Sequence, residues 1–196
     1  MSKTLKPRII LLVILICGFA ACNSIDPPTT RTPKPPVSSG PPTSLPMPPV
    51  SGSSLTSLGW TAGGGKRSVF SDYKGKVLVL DFYATWCEPC RRSIPHLIGL
   101  QNKFADQGLQ VIGLNVGGPN DEEKVPAFAK EFGIEYPLAL PDDELVTFLL
   151  GDNDAIPQTF VFDRQGLLAE RLIGFGPNAA DQIDRAVEAA LQTPAP

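Results

Sequence analysis

The run Val77-Leu78-Val79-Leu80-Asp81-Phe82-Tyr83 is apolar at all but one position and does not alternate with polar residues. A strand of that kind is covered on both faces, as in sheets sandwiched between helices. Shortly after it comes Cys87-Glu88-Pro89-Cys90. Two cysteines at this spacing can close a small disulfide ring. When such a pair opens a helix, the first sulfur lies among unpaired backbone N–H groups that favour its thiolate. The stretch therefore reads as a strand, a tight turn and a helix carrying a thiol–disulfide site.

Around this centre the chain alternates strand and helix signals. Residues 55–60 and 67–70, joined by Gly63-Gly64-Gly65, predict a hairpin. A helix is expected from the cysteines to about Gln107, kinked at Pro95 and stopped by Gly108. A strand over 109–116 follows, then a helix over 121–132 with Pro126 in its first turn and Gly133 closing it. Further on are a strand over 136–140, a helix over 143–150, a hairpin of 159–163 and 167–173, and a last helix over 179–191 capped by Asn178. That order predicts an α/β domain over 54–192 with a mixed sheet flanked by helices, parallel first and antiparallel at its end, followed by a short tail at 193–196.

Residues 1–21 place Lys3, Lys6 and Arg8 before an apolar run and small residues, the order of an export signal. Their ending, Phe19-Ala20-Ala21-Cys22, resembles the lipobox of bacterial lipoproteins, which implies lipidation of Cys22. Ten of the 21 prolines fall between Pro27 and Pro49, with no aromatic residue among them. Residues 22–53 thus read as a semi-extended tether that buries no core. The whole chain has a formal charge of -3. Loss of the three signal-peptide cations makes it more acidic still, which leaves no electrostatic footprint for nucleic acid. Cys87 and Cys90 would then be the free thiols of an exported protein, used for redox chemistry rather than as a staple. A zinc site needs about four ligands, and only His96 and Cys22 are left to supply them. His96 reads as an exposed helix residue.

With these residues in view, residues 55–192 resemble the thioredoxin superfamily, and most closely its membrane-tethered extracytoplasmic branch of the TlpA and ResA type. The motifs that carry the resemblance are Ser71-Asp72-Tyr73-Lys74-Gly75-Lys76, Trp86-Cys87-Glu88-Pro89-Cys90, Pro95 and Ile156-Pro157-Gln158-Thr159-Phe160. Cys87, at the exposed start of the helix, is expected to be the nucleophile. Cys90, one turn in, would resolve the mixed disulfide. Glu88 opposes a thiolate at Cys87, whereas Arg91 or Arg92 and the helix N-terminus favour it, so a Cys87 pKa nearer ~7 than ~3.5 is expected.

Asp81 reads as a buried, unpaired carboxylate with a raised pKa, suited to moving a proton near neutral pH. The resemblance matches it to the buried aspartate that handles the proton of the second cysteine. The tethered branch often has asparagine there and an acid in a later loop, at a position that falls on Gly118 in this chain. The resemblance also implies that Pro157 is cis and faces the disulfide, with the Ile156 backbone pairing with substrate. Trp86 is expected to serve both as packing and as a wall beside the disulfide, and Glu88 and Pro89 to border it.

The resemblance implies a lipid-anchored oxidoreductase facing the periplasm or cell exterior, a reductase rather than an oxidase, acting as a monomer and needing no bound cofactor. Its partners would be protein disulfides, such as those of apocytochromes in cytochrome c maturation, and a membrane thiol that donates electrons. Two other classes fit parts of the chain. A thiol peroxidase would need threonine and proline ahead of the reactive cysteine in the peroxidatic pattern, which Tyr83-Ala84-Thr85-Trp86 does not supply. A non-catalytic peptide-binding lipoprotein would have no use for an intact cysteine pair.

Overall fold

The structure, a computed structural model, describes residues 55–196. The export signal, Cys22 and the proline-rich stretch lie outside the described residues. The long apolar run forms β3 (Val77–Tyr83), buried along its whole length. It lies between β4 (Leu109–Asn115), which runs parallel to it, and β6 (Gln158–Phe162), which runs antiparallel. β1 (Gly59–Ala62) and β2 (Arg67–Val69) form the expected hairpin, and β1 also pairs with β5 (Leu138–Pro141). With β7 (Leu168–Ile173) at the far edge, the seven-stranded order is β2-β1-β5-β4-β3-β6-β7. The fold is thioredoxin-like, with the mixed sheet that the strand order predicts.

Helix α1 (Glu88–Phe104) begins beside the cysteines, contains Pro95 and passes into a 3-10 turn, Ala105–Gln107, before Gly108 stops it in the left-handed conformation. The helix expected over 121–132 is instead two, α2 (Pro119–Glu122) and α3 (Val125–Phe132). An unbroken helix would need an N–H at Pro126, and the proline ring would meet the preceding turn. In the first turn of α3 neither problem arises. β5 begins at Leu138 rather than Tyr136. Pro137 has no N–H for the ladder, although its carbonyl accepts from Gly113 N at 3.0 Å. In the first hairpin the strand begins at Gly59, because Leu55 turns into the core, and Phe70 opens a 3-10 helix, Phe70–Tyr73. Helix α4 (Asp143–Leu150) has the expected bounds. Asn178 precedes α5 (Ala179–Gln192), but its side chain makes no capping bond.

Alternation along β3 divides the core between the two faces of the sheet. Val77 and Val79 pack with Leu97 and Leu100 of α1 and with Ile183 and Val187 of α5. Leu78, Leu80 and Phe82 pack on the other face with Phe160, Phe162, and Leu145 and Leu149 of α4. Each such side chain contributes about 1.5–3 kcal/mol when fully buried. The sheet is thereby clamped on both sides, and the segment after β3 leaves from a rigid edge. Among the described residues no helix is long and apolar enough to cross a membrane.

Candidate active site

β3 ends at Tyr83, and the chain turns through Ala84, Thr85 and Trp86 into α1. Cys87 is the N-cap of that helix, and Cys90 N donates to Cys87 Sγ at 3.3 Å. Pro89 sits in the first turn, where its missing N–H costs nothing. Cys87 and Cys90 are joined as a disulfide with Cα atoms 5.2 Å apart. Cys90 is fully buried, as expected, but Cys87 is only 4 % exposed, not the open residue its place in the sequence suggests. The turn, the disulfide partner and Ile156 close over it. Trp86 is 65 % exposed, so it stands as a flank of the disulfide and contributes little packing.

The peptide bond Ile156–Pro157 is cis, as the resemblance implied. The Ile156 carbonyl oxygen lies 3.7 Å from Cys87 Sγ. Gln158 is buried and holds this loop: its amide nitrogen donates to the Asn153 and Ala155 carbonyls, each at 2.9 Å. Its oxygen accepts from Arg171 Nη2 at 2.7 Å. Pro157 and Ile156 therefore face the disulfide from a loop fixed on both sides.

Asp81 lies between Val79 and Tyr83 on β3, so its side chain points to the face on which α1 packs. It is buried, and it is not unpaired: Thr159 Oγ1 donates to Asp81 Oδ1 at 2.7 Å. Burial pushes its pKa up to about 7, and the Thr159 bond opposes that rise only in part. The group is thus poised to hold or release a proton near neutral pH, under the helix that carries Cys90.

The cations near the cysteines are already engaged. Arg91 pairs with Glu131 and lies over the rings of Phe128 and Phe132. Arg92 is 3.8 Å from Glu88 across one helical turn. Neither is left to stabilise a Cys87 thiolate in the way the sequence suggested. His96 is not an exposed helix residue. It is half-buried, with Nε2 3.2 Å from Asp184 Oδ1.

Gly118, where the tethered branch often carries an acid, has φ +85° and open space beside it. The acid nearest the turn comes three residues later. Asp121 of α2 is 1 % exposed, and its carboxylate accepts from Thr85 N at 2.9 Å, from the Thr85 hydroxyl and from Asn115 Nδ2 at 2.8 Å. Burial raises its pKa, but those bonds and the charge of Lys124 together bring it below the ordinary aspartate value. Sequence reasoning missed this residue. The signal that could have pointed to it is Gly117, where a Cβ would overlap the Asp121 carboxylate.

A mixed sheet with a Cys-x-x-Cys disulfide at a helix N-terminus, opposite a cis proline, defines a thioredoxin-like protein. The AhpC/TSA family model matches residues 52–171, and the chain belongs to that family. Among curated relatives, the thiol-disulfide oxidoreductase ResA of Bacillus subtilis (strain 168) is 34% identical over 112 residues, 56% of this chain and 60% of that protein. ResA of Geobacillus kaustophilus (strain HTA426) is 34% identical over 106 residues, covering 53% and 58% of the two chains. This chain therefore spans about three fifths of the length of those curated relatives. Among solved structures, a thiol:disulfide interchange protein of the thioredoxin family from Chlorobium tepidum TLS superposes with a TM-score of 0.59 at 29% identity. It covers 75% of this chain and 99% of that one.

Proposed function

We propose that this protein is an extracytoplasmic thiol–disulfide oxidoreductase that reduces disulfides of other exported proteins. The observation that carries the reading is the Cys87–Cys90 disulfide, set at the start of α1 against Ile156–Pro157 and above the buried Asp81. The names of the ResA relatives support the same chemistry.

In the reaction, the Cys87 thiolate of the reduced protein attacks one sulfur of a substrate disulfide. The substrate S–S bond breaks, a mixed disulfide forms, and the departing substrate thiolate takes a proton from solvent. Asp81 then accepts the Cys90 proton. The Cys90 thiolate attacks Cys87 Sγ and forms the Cys87–Cys90 disulfide, and the second substrate thiolate leaves and takes a proton from solvent as Asp81 returns its own to solvent. Two electrons and two protons pass to the substrate in all. A membrane dithiol of lower potential would restore the reduced protein by the reverse exchange. The open edge of Ile156 is where substrate backbone would lie, and Trp86, Glu88 and Pro89 would border it.

The electrostatics support the reducing direction. With Arg91 and Arg92 engaged by carboxylates and Glu88 beside Cys87, little stabilises the thiolate beyond the helix N-terminus, and a poorly stabilised reduced form gives up electrons readily. Export, lipidation at Cys22, a membrane thiol donor, monomeric action and service to cytochrome c maturation complete the reading. They rest on residues 1–53 and on the resemblance.

Equilibration with a glutathione redox buffer tests the direction. A potential well below about -150 mV is expected, and a higher one would overturn the reductase assignment. In a disulfide-reduction assay, Cys87→Ser should be inactive and Cys90→Ser should accumulate the mixed disulfide. Equal activity of Cys87→Ser and wild type would instead favour a non-catalytic binding module.

A further inference from the structure

We propose that Asp121 is a positioning residue for this disulfide exchange: its buried carboxylate fixes the backbone at Thr85, and so sets where Trp86 presents its ring and Cys87 its sulfur. The proposal rests on the thiol–disulfide reading of Cys87 and Cys90 given above.

The turn between β3 and α1 has few holds of its own. Trp86 projects into solvent and gains little from packing. Within the turn, Cys87 N donates to the Ala84 carbonyl at 3.2 Å. Further holds, from Asp121 of α2 and from Arg91 of α1, converge on Thr85. Its N–H and its hydroxyl both donate to Asp121, and its carbonyl accepts from Arg91 Nη1 at 3.3 Å. Both backbone polar groups of the residue two before the nucleophile are thus taken by charged side chains.

Asp121 is in turn held by Asn115 at the end of β4, whose Oδ1 accepts from Gly117 N at 3.2 Å. A side chain at Gly117 would displace the carboxylate, so the loop after β4 is shaped to admit it. The sheet edge, the loop and the active-site turn are locked together through one carboxylate.

Burying a carboxylate is expensive, but an apolar residue of similar size would leave the Thr85 N–H, the Thr85 hydroxyl and the Asn115 amide without their acceptor. A carboxylate supplies short, charge-assisted, directional bonds. Those are useful where a displacement of about 1 Å costs on the order of a hundredfold in rate. The same bonds fix a negative charge against Thr85, two residues before the one that must become a thiolate.

The test compares Asp121→Asn, Thr85→Val and Thr85→Ser in the full chain. Two readouts serve: the Cys87 titration, followed by thiolate absorbance in the ultraviolet, and kcat/KM on a disulfide-linked test protein. Asp121→Asn removes the charge and puts an amide N–H group against the Thr85 hydroxyl in place of a carboxylate oxygen. It is expected to lower kcat/KM about tenfold or more and to move the Cys87 midpoint by about half a pH unit or more, a change that loss of a packing contact would not make. Thr85→Val, which keeps the shape but loses the hydroxyl, should also be slow, and Thr85→Ser should recover most of the rate.

A folded Asp121→Asn with the wild-type midpoint and rate overturns the proposal, as does Thr85→Ser impaired as much as Thr85→Val. If Asp121→Asn does not fold, the two Thr85 variants decide it. A wild-type protein that exchanges no disulfide would refute the proposed function instead. The Cys87 titration needs no substrate and would still test Asp121.

Discussion

Asp81 is ionised in the folded protein only at a cost. Its pKa stands at about 7 against an ordinary value of 3.8, so between those pH values the folded state keeps a proton that the unfolded chain has lost. Stability therefore falls as pH rises from about 4 to about 7, by on the order of 4 kcal/mol for this group at its fullest. Asp81→Asn removes that cost. The oxidised variant should melt roughly 5 °C or more above wild type at pH 8, with the gap closing towards pH 4. A gap that ignores pH would sink the account of a buried charge. The same variant should resolve the mixed disulfide about a hundredfold more slowly, measured by stopped flow, because the Cys90 proton has lost its acceptor. Asp81 was legible in the sequence because it is a lone charge in an apolar run. Asp121 was not: it opens Asp121-Glu122-Glu123, which looks like a solvated helix start, and hydropathy cannot say which acid turns inward. Its partners, Thr85 and Asn115, become neighbours only when β3 and β4 pair with Tyr83 beside Asn115.

At the scale of elements, β3, α1, α4 and the last hairpin could be read from the chain because each carries its own period, turn or stop. The break between α2 and α3 follows from Pro126, which fits the first turn of a helix that begins at Val125 but lies too far into one that begins at Asp121. The place of β1 beside β5 could not be read at all, since pairing depends on which edge the sheet leaves open. The pairing of β1 with β2 has a consequence at Gly59, where a Cβ would overlap the Ser68 carbonyl. Gly59→Ala should cost more than Gly64→Ala, which lies in a turn with open space around it and pays only for its positive φ of 87°. About 1–2 kcal/mol is expected for Gly64→Ala, and more for Gly59→Ala. Urea unfolding of the two variants checks the order, and equal midpoints would mean that the hairpin relaxes freely.

For the molecule as a whole, the sheet order puts the disulfide at the carboxyl end of β3, where the parallel pairing with β4 on one side gives way to the antiparallel pairing with β6 on the other. Sites at such ends of an open α/β sheet are well placed for ligands. The opposite end of β3 is where the described chain begins. Ser71 N donates to the Thr56 carbonyl, and Thr56 lies with Leu78 and Lys76 beside the Asp163–Gly166 turn. The strand between the two ends is seven residues long, on the order of 20 Å. The described chain thus enters at the heel of this strand, and the disulfide lies beyond its toe.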